Sequence, residues 1–214
     1  MKILNLYACI GGNRKLWGDE HEITAVEIDP VLAAIYQEEF PNDKVIVGDA
    51  HEYLLKNYHL FDFIWASPPC PSHSRARFWG LGNGTVDPVY PDMKLYQEIL
   101  FVKHHFKGKW VFENVIPYYT PLILDYKKVG RHLMWSNFPI GSFETKPFNK
   151  DDYKKMAKEY GYDIDKIKYP RKDRLLRNLV HPEYGKYILE CALGIIRKEN
   201  INQVDMFEDV SPKL

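Results

Sequence analysis

Short apolar runs alternate along this chain with stretches of helical character, and turn residues stop each apolar run. Lys2–Ala8 (KILNLYA), Glu22–Ile28 (EITAVEI), Lys44–Val47 (KVIV), Phe61–Ala66 (FDFIWA) and Lys109–Glu113 (KWVFE) read as strands. Asp29–Pro30 opens a helix running to about Phe40, with Asp as N-cap and Pro at the first helical position. A short helix follows Gly11-Gly12 through Leu16 and Trp17, and His51–Asn57 and Asp92–Phe106 read as further helices. The stretch after Ser67-Pro68-Pro69, with Gly80, Gly82 and Gly84, reads as a long loop. Strand and helix in alternation predict a mostly parallel α/β sheet with helices on both faces.

Ligands of such sheets sit beyond the carboxyl ends of the strands. Ala8–Gly12, Glu27–Asp29, Gly48–Asp49, Ser67–Cys70 and Glu113–Asn114 all fall there. Turn chemistry accounts for glycine and proline at strand ends, but not for Glu27, Cys70 and Glu113.

Length and composition set the outer limits. At 214 residues, 45% hydrophobic and 27% charged, the chain suits one soluble domain with a small appendage. Lys plus Arg equal Asp plus Glu at 29 each, so any nucleic-acid surface must come from charge gathered on one face. No stretch approaches the ~20 apolar residues of a membrane span. The opening MKILNLYA has no signal-peptide pattern, and the expected location is the cytoplasm. Cys9, Cys70 and Cys191 are far apart without CxxC spacing, which predicts no metal site and leaves each cysteine to act as a thiol. The expected organisation is a catalytic and cofactor-binding core over 1–138, a polar appendage over 139–170, and a segment over 171–198 that returns to the core. A flexible tail follows over 199–214. Helices are expected at Asp151–Tyr160 and Glu183–Arg197.

Several residues carry chemistry on their own account. Paired glycines in LYACIGGN (6–13) let the backbone approach a ligand closely. A carboxylate at the end of the second strand, Glu27, suits ribose hydroxyls. Asp49, after Gly48, suits an adenine amino group. The absence of GxGxxG argues for a nucleoside-bearing cofactor rather than a dinucleotide. In SPPCPSHS (67–74), prolines on both sides make a rigid turn that can hold Cys70 out at the sheet edge. An acid such as Glu113 in FENV (112–115) is costly if buried and idle. Parallel strands lie about 5 Å apart, so if strands four and five pair, Cys70 and Glu113 can reach one small substrate.

The order IGG, VEID, GDA, PPC, ENV resembles the DNA cytosine carbon-5 methyltransferase family. RHLMWSNF (131–138) is similar to its arginine-containing strand, and RNLVHPEYGKYIL (177–189) to its last motif, in which an asparagine opens a helix returning to the cofactor. LYACIGGNRKLW and SPPCPSHSR resemble small bacteriophage members in particular. The resemblance covers 1–138 and 171–196, with departures: Cys9 and Arg177 stand where glycines are usual, and Val129 replaces an arginine.

This resemblance implies a Rossmann-like methyltransferase fold with a very small target-recognition appendage. It also implies S-adenosylmethionine as cofactor and DNA as substrate. Cys70 would attack carbon 6 of a flipped-out cytosine. Glu113 would contact ring nitrogen 3 and the amino group, and Arg131 the carbonyl oxygen. Tyr7, Ala8, Ile10, Gly12, Glu27, Ile28, Asp49, Pro69 and Asn178 would surround the cofactor. Ser74, Arg75, Arg77 and Asn114 would meet DNA, joined by Arg171 and Arg174 from the basic cluster 166–177. Gln203–Phe207 (QVDMF) resembles the peptide that docks bacterial proteins on the polymerase sliding clamp. The readings left open are methylation of RNA or a free nucleotide, and an inactive DNA-binding relative.

Overall fold

The computed structural model describes residues 1–141 and 152–195. The five expected strands form, as β1 (Lys2–Leu6), β2 (Glu22–Glu27), β3 (Lys44–Val47), β4 (Phe63–Ala66) and β5 (Lys109–Val115). Two more, β6 (Lys127–Val129) and β7 (His132–Ser136), complete a seven-stranded sheet in the order β3-β2-β1-β4-β5-β7-β6. β1 to β5 run parallel, and β7 lies antiparallel to both β5 and β6. Sequence reading placed a strand only at 131–138. Its partner β6 is three residues long, two of them lysine, and is too short and polar to show period-2 patterning.

The first helices follow the expected signals. Asp29 caps α1 (Pro30–Glu39) by accepting from the Val31 amide, and Asp49 caps α2 (Ala50–Asn57) by accepting from His51 and Glu52. Residues 75–82, expected as loop, instead form α3 (Arg75–Gly82). The Ser74 hydroxyl accepts from the Ala76 amide and starts it. Gly80 and Gly82 fall in its last turn, where little helix remains for them to weaken. α4 spans Lys94–His105.

Strand alternation sorts the core onto two faces. Leu4, Leu6, Ile64, Ala66, Phe112 and Trp135 point to the side covered by α2 and α4, which supply Leu54, Leu95, Ile99 and Val102. On the other side, Ile3, Phe63, Trp65, Val111 and Met134 meet the last helix, α7 (Pro182–Ala192), through Tyr184, Tyr187 and Ile188. α7 ends earlier than the expected Arg197; positions 196 and 197 lie outside the described residues. Arg14 and Asp43 form a buried ion pair at 2.9 Å, and Tyr36 also donates to Asp43 at 2.8 Å.

The appendage carries α5 (Tyr153–Glu159), capped by Asp152, and the segment that returns to the core opens with α6 (Lys172–Asn178). The apolar residues of both pack on Ile10 and on Leu32 and Ile35 of α1. Tyr162 donates to the Ile10 carbonyl at 2.8 Å. The segment thus sits over the glycine turn rather than standing apart from the core. The Gln203–Phe207 motif lies outside the described residues. No described helix is long and apolar enough to cross a membrane.

α7 reaches the glycine turn at one tight contact. A Cβ on Gly185 would lie 2.1 Å from the Asn13 carbonyl oxygen, and the Gly185 carbonyl accepts from Trp17 Nε1 at 3.0 Å. Gly185→Ala should therefore cost about 1–3 kcal/mol of stability, read as a lowered Tm in thermal unfolding. An unchanged Tm would contradict this packing.

Candidate active site

β1 lies between β2 and β4, so the winding of the sheet reverses beside it, and ligands of such folds gather at that reversal. Leu6 pairs with Ala66, and Ala66 with Phe112. The glycine turn, the proline turn and the Glu113–Asn114 pair therefore leave the sheet side by side. Pro68 and Pro69 have no N–H to hold their turn, so a side chain does it: Asn114 Nδ2 donates to the Pro68 carbonyl at 3.0 Å. Beyond Cys70 the chain curls tightly, with the His73 and Ser74 amides donating to the Cys70 carbonyl at 3.0 and 3.1 Å.

Cys70 is a half-buried free thiol. Burial pushes its pKa up, and the Glu113 carboxylate pushes the same way, while Arg131 and Arg174 pull it down. The electrostatics thus bring together a thiol, an acid and two guanidinium groups from four separate segments. Glu113 is 8% exposed, and its Oε1 lies 3.4 Å from His132 Nε2. Burial lowers the His132 pKa against the pull of Glu113.

Arg131, expected within a strand, sits in the Gly130–Arg131 turn that joins β6 to β7. Val129 pairs with His132 across this two-residue hairpin, and Gly130 takes the positive φ of 57° it needs. Arg131 Nη2 donates to the Arg177 carbonyl at 2.9 Å, which ties the turn to α6.

Tyr7 and Cys9 both adopt left-handed backbone, with φ of 58° and 49°. The Cys9 conformation explains why glycine is usual there. Glu27 supports this strained turn. One of its carboxylate oxygens accepts from the Cys9 amide at 2.8 Å and the other from Asp29 at 2.9 Å. Burial, with the Glu27 charge, pushes the Cys9 thiol up to about 12. Ile28 next to it is 67% exposed, an apolar surface at the strand end, and the space over Gly48 is open. Asp49 uses Oδ1 as a cap and leaves Oδ2 3.4 Å from Lys94. Backbone bonds and Lys94 hold its pKa below the ordinary carboxylate value, against the effect of burial.

The structure qualifies two of the expected cofactor residues and corrects a third. The close approach at Gly12 is to the chain itself, since a Cβ there would lie 2.6 Å from the Val180 carbonyl. Ile10 is fully buried under the appendage, so only its backbone is available to a ligand. Asn178 does not open the last helix: it ends α6, and His181 caps α7 ahead of Pro182. A residue before proline is driven to extended backbone, so the helix starts at the proline. Ala8 is buried and Pro69 exposed at the same edge.

Of the residues expected to meet nucleic acid, Ser74 caps α3 and Asn114 holds the proline turn. Arg75 Nε donates to the Pro117 carbonyl at 3.2 Å, and Arg77 to that of Asp87 at 2.7 Å. Arg171 lies 3.5 Å from Asp173, and Arg174 reaches the Cys70 field.

Glu98 went unread in the sequence. It is 1% exposed, accepts a hydrogen bond from Tyr7 and meets His51 Nδ1 at 2.9 Å, while its Oε2 has no hydrogen-bond partner among the described residues. Its one signal was an acid set among the apolar positions Leu95, Ile99 and Val102 of α4. His132 gave no signal, because its partner lies on another strand.

A parallel sheet with one reversed strand, a ligand site at the winding reversal and an acid closing β2 define an S-adenosylmethionine-dependent methyltransferase. The family model for C-5 cytosine-specific DNA methylase matches residues 1–116. The chain belongs to that family. No curated protein matches it significantly. Among solved structures, an insect DNMT2 mutant from Spodoptera frugiperda is 29% identical. That match covers 53% of this chain and 35% of the insect protein, with a TM-score of 0.37. A TehB-like S-adenosylmethionine-dependent methyltransferase from Corynebacterium glutamicum is 18% identical over 53% of this chain and 54% of its own, at a TM-score of 0.33. A hypothetical protein from Thermus thermophilus is 17% identical over 63% and 73%, at 0.41. Scores this low carry nothing about what the chain does.

The cofactor suits the residues present. Each Glu27 oxygen keeps a lone pair beyond its backbone bond, fit for a ribose hydroxyl, and Ile28 with the open space at Gly48 offers an apolar face for adenine.

Two outcomes follow. Removing the Glu113 charge by Glu113→Gln should lower the Cys70 pKa, so the pH profile of iodoacetamide alkylation shifts to lower pH. A shift upward would contradict the coupling. Burial raises the Glu98 carboxyl above its ordinary 4.5, against hydrogen bonds from Tyr7 and His51 that lower it. A raised folded value means that this group stabilises the fold fully below pH 4.5 and progressively less as pH rises through it. Glu98→Gln should therefore lose less stability than the wild type as pH rises from about 4.5 toward neutrality, measured by denaturant unfolding. Parallel stability curves would refute this.

Proposed function

We propose that the chain transfers the methyl group of S-adenosylmethionine to carbon 5 of a cytosine in DNA, through a covalent bond from Cys70 to carbon 6. The pairing of β4 with β5, which brings the Cys70 turn and Glu113 to one sheet edge, carries this reading, and the charges of Arg131 and Arg174 bear on the Cys70 thiol there. Cytosine carbon 5 is a poor nucleophile. Attack by the Cys70 thiolate at carbon 6 converts the ring to an enamine, while Glu113 supplies a proton at ring nitrogen 3. The cofactor supplies an electrophilic methyl group at sulfur. Once carbon 5 carries the methyl group, its proton is lost to a base, the carbon 6–sulfur bond breaks to release the thiolate, and ring nitrogen 3 returns its proton to Glu113, which restores the aromatic ring and the acid.

Partial burial favours the Cys70 thiol, whereas the guanidinium groups of Arg131 and Arg174 favour the thiolate that attack requires. Arg131 is further suited to hold the cytosine carbonyl oxygen. Carbon 6 is shielded in a stacked duplex, so the base must leave the helix. Arg75 and Arg77 on α3, next to the proline turn, suit the phosphates around an extruded base. In the division of the chain that we favour, 1–138 forms the catalytic core, 139–170 contributes to target recognition and 171–198 returns to the core.

Cys70→Ser should reduce methyl transfer to duplex DNA by at least about 1,000-fold, the scale set by loss of a covalent nucleophile. The wild type should form a denaturation-resistant adduct with DNA carrying 5-fluorocytosine. Full activity of the serine variant would sink the covalent route. Transfer to transfer RNA or to free cytidine nucleotides in preference to DNA would redirect the substrate assignment.

A further inference from the structure

A cavity of about 480 Å³ lies beside the catalytic edge and has no part in the chemistry above. One wall is Arg75, at the start of α3. The opposite wall is the segment after Asn114, including Tyr118, Tyr119 and Thr120, and the floor takes in Tyr126 and Lys128. The walls are joined by backbone. Ser74 bridges to Pro117, and the Tyr118 amide donates to the His73 carbonyl at 3.1 Å. The cavity thus spans the two segments that carry Cys70 and Glu113.

The lining selects its ligand. It contains two cationic side chains and no carboxylate, which calls for an anion. Three tyrosines call for a flat π-system, and its volume lies within the ~300–1,000 Å³ of small-ligand sites. Tyr118 already takes a flat partner, since Phe78 of α3 stacks on it at 5.4 Å with an 11° interplanar angle. Tyr118 and Tyr126 remain 39% and 38% exposed. A nucleotide joins an anion to a flat ring, and aromatic side chains beside basic ones are the general means of holding an unstacked one.

We propose that this cavity binds a nucleotide neighbouring the target cytosine on the DNA strand, stacking its base on Tyr118 or Tyr126 and pairing its phosphate with Lys128 and Arg75. The site is then a determinant of sequence preference within the core itself, which suits a chain whose appendage is small. The inference rests on DNA being the substrate.

The test uses a duplex pool in which the positions around cytosine are randomised, methylated by the full chain and read by bisulfite sequencing. The wild type should prefer one base at one flanking position by roughly tenfold or more. Tyr118→Leu should reduce that preference to under about threefold. Lys128→Ala should weaken DNA binding across all sequences and lower the salt-dependence slope by about one, with cofactor affinity unchanged. As a readout independent of activity, 5-iodo-2′-deoxyuridine at the preferred position should photocrosslink to Tyr118 or Tyr126. A wild type without flank preference, flank preference unaltered by Tyr118→Leu, or crosslinks only to other segments would each overturn the inference while leaving the DNA reading intact. A wild type that methylates no DNA would overturn both.

Discussion

The pairing of β1, β4 and β5 as adjacent parallel strands is the constraint on which everything else depends. Because Leu6, Ala66 and Phe112 lie in register across the sheet, three chain segments must emerge at one edge within a few ångströms of one another. The strands of this ladder are buried on both faces, so a slip in register would misfit the close packing against α2 and α4 on one side and α7 on the other. The site inherits its precision from this ladder. The proline turn, with its missing amides, then needs only the Asn114 amide on the Pro68 carbonyl to be aimed.

Electrostatics at that edge work against one another in a useful way. Burial and the nearby acid favour a neutral thiol at residue 70, and cations from a hairpin turn and from α6 favour its ionised form. α6 is thereby coupled to the chemistry although its apolar residues pack with the cluster around Ile10. The Arg131–Arg177 contact joins the two sources of positive charge into one unit. On the cofactor side the same economy appears: Glu27 holds the left-handed Cys9 turn and still has lone pairs to offer.

The legible part of the sequence was local. Alternating apolar runs identified five strands, Asp29-Pro30 announced its helix, and the residues ending those strands named Glu27, Cys70 and Glu113. α3 was misread because glycine content outweighed a serine cap, although the cap acts at the start of the helix and the glycines only at its end. Gly12 was read as room for a ligand when the nearest occupant is the chain near Val180, a contact separated by most of the sequence. Glu98 looked like an ordinary surface acid, since nothing in α4 alone reveals Tyr7 and His51 waiting on other elements.

Sequence by itself determined most of the secondary elements, α3 and β6 excepted, together with the fold class and the kinds of side chain at the strand ends, because these follow from short-range backbone preference and apolar periodicity. Tertiary structure alone decided which of those side chains share a field: Arg174 with Cys70, His132 with Glu113, and the tyrosine-lined cavity between α3 and β6. Coulomb forces and packing act through space over a few ångströms, and spacing along a chain does not encode that distance until the sheet has closed it.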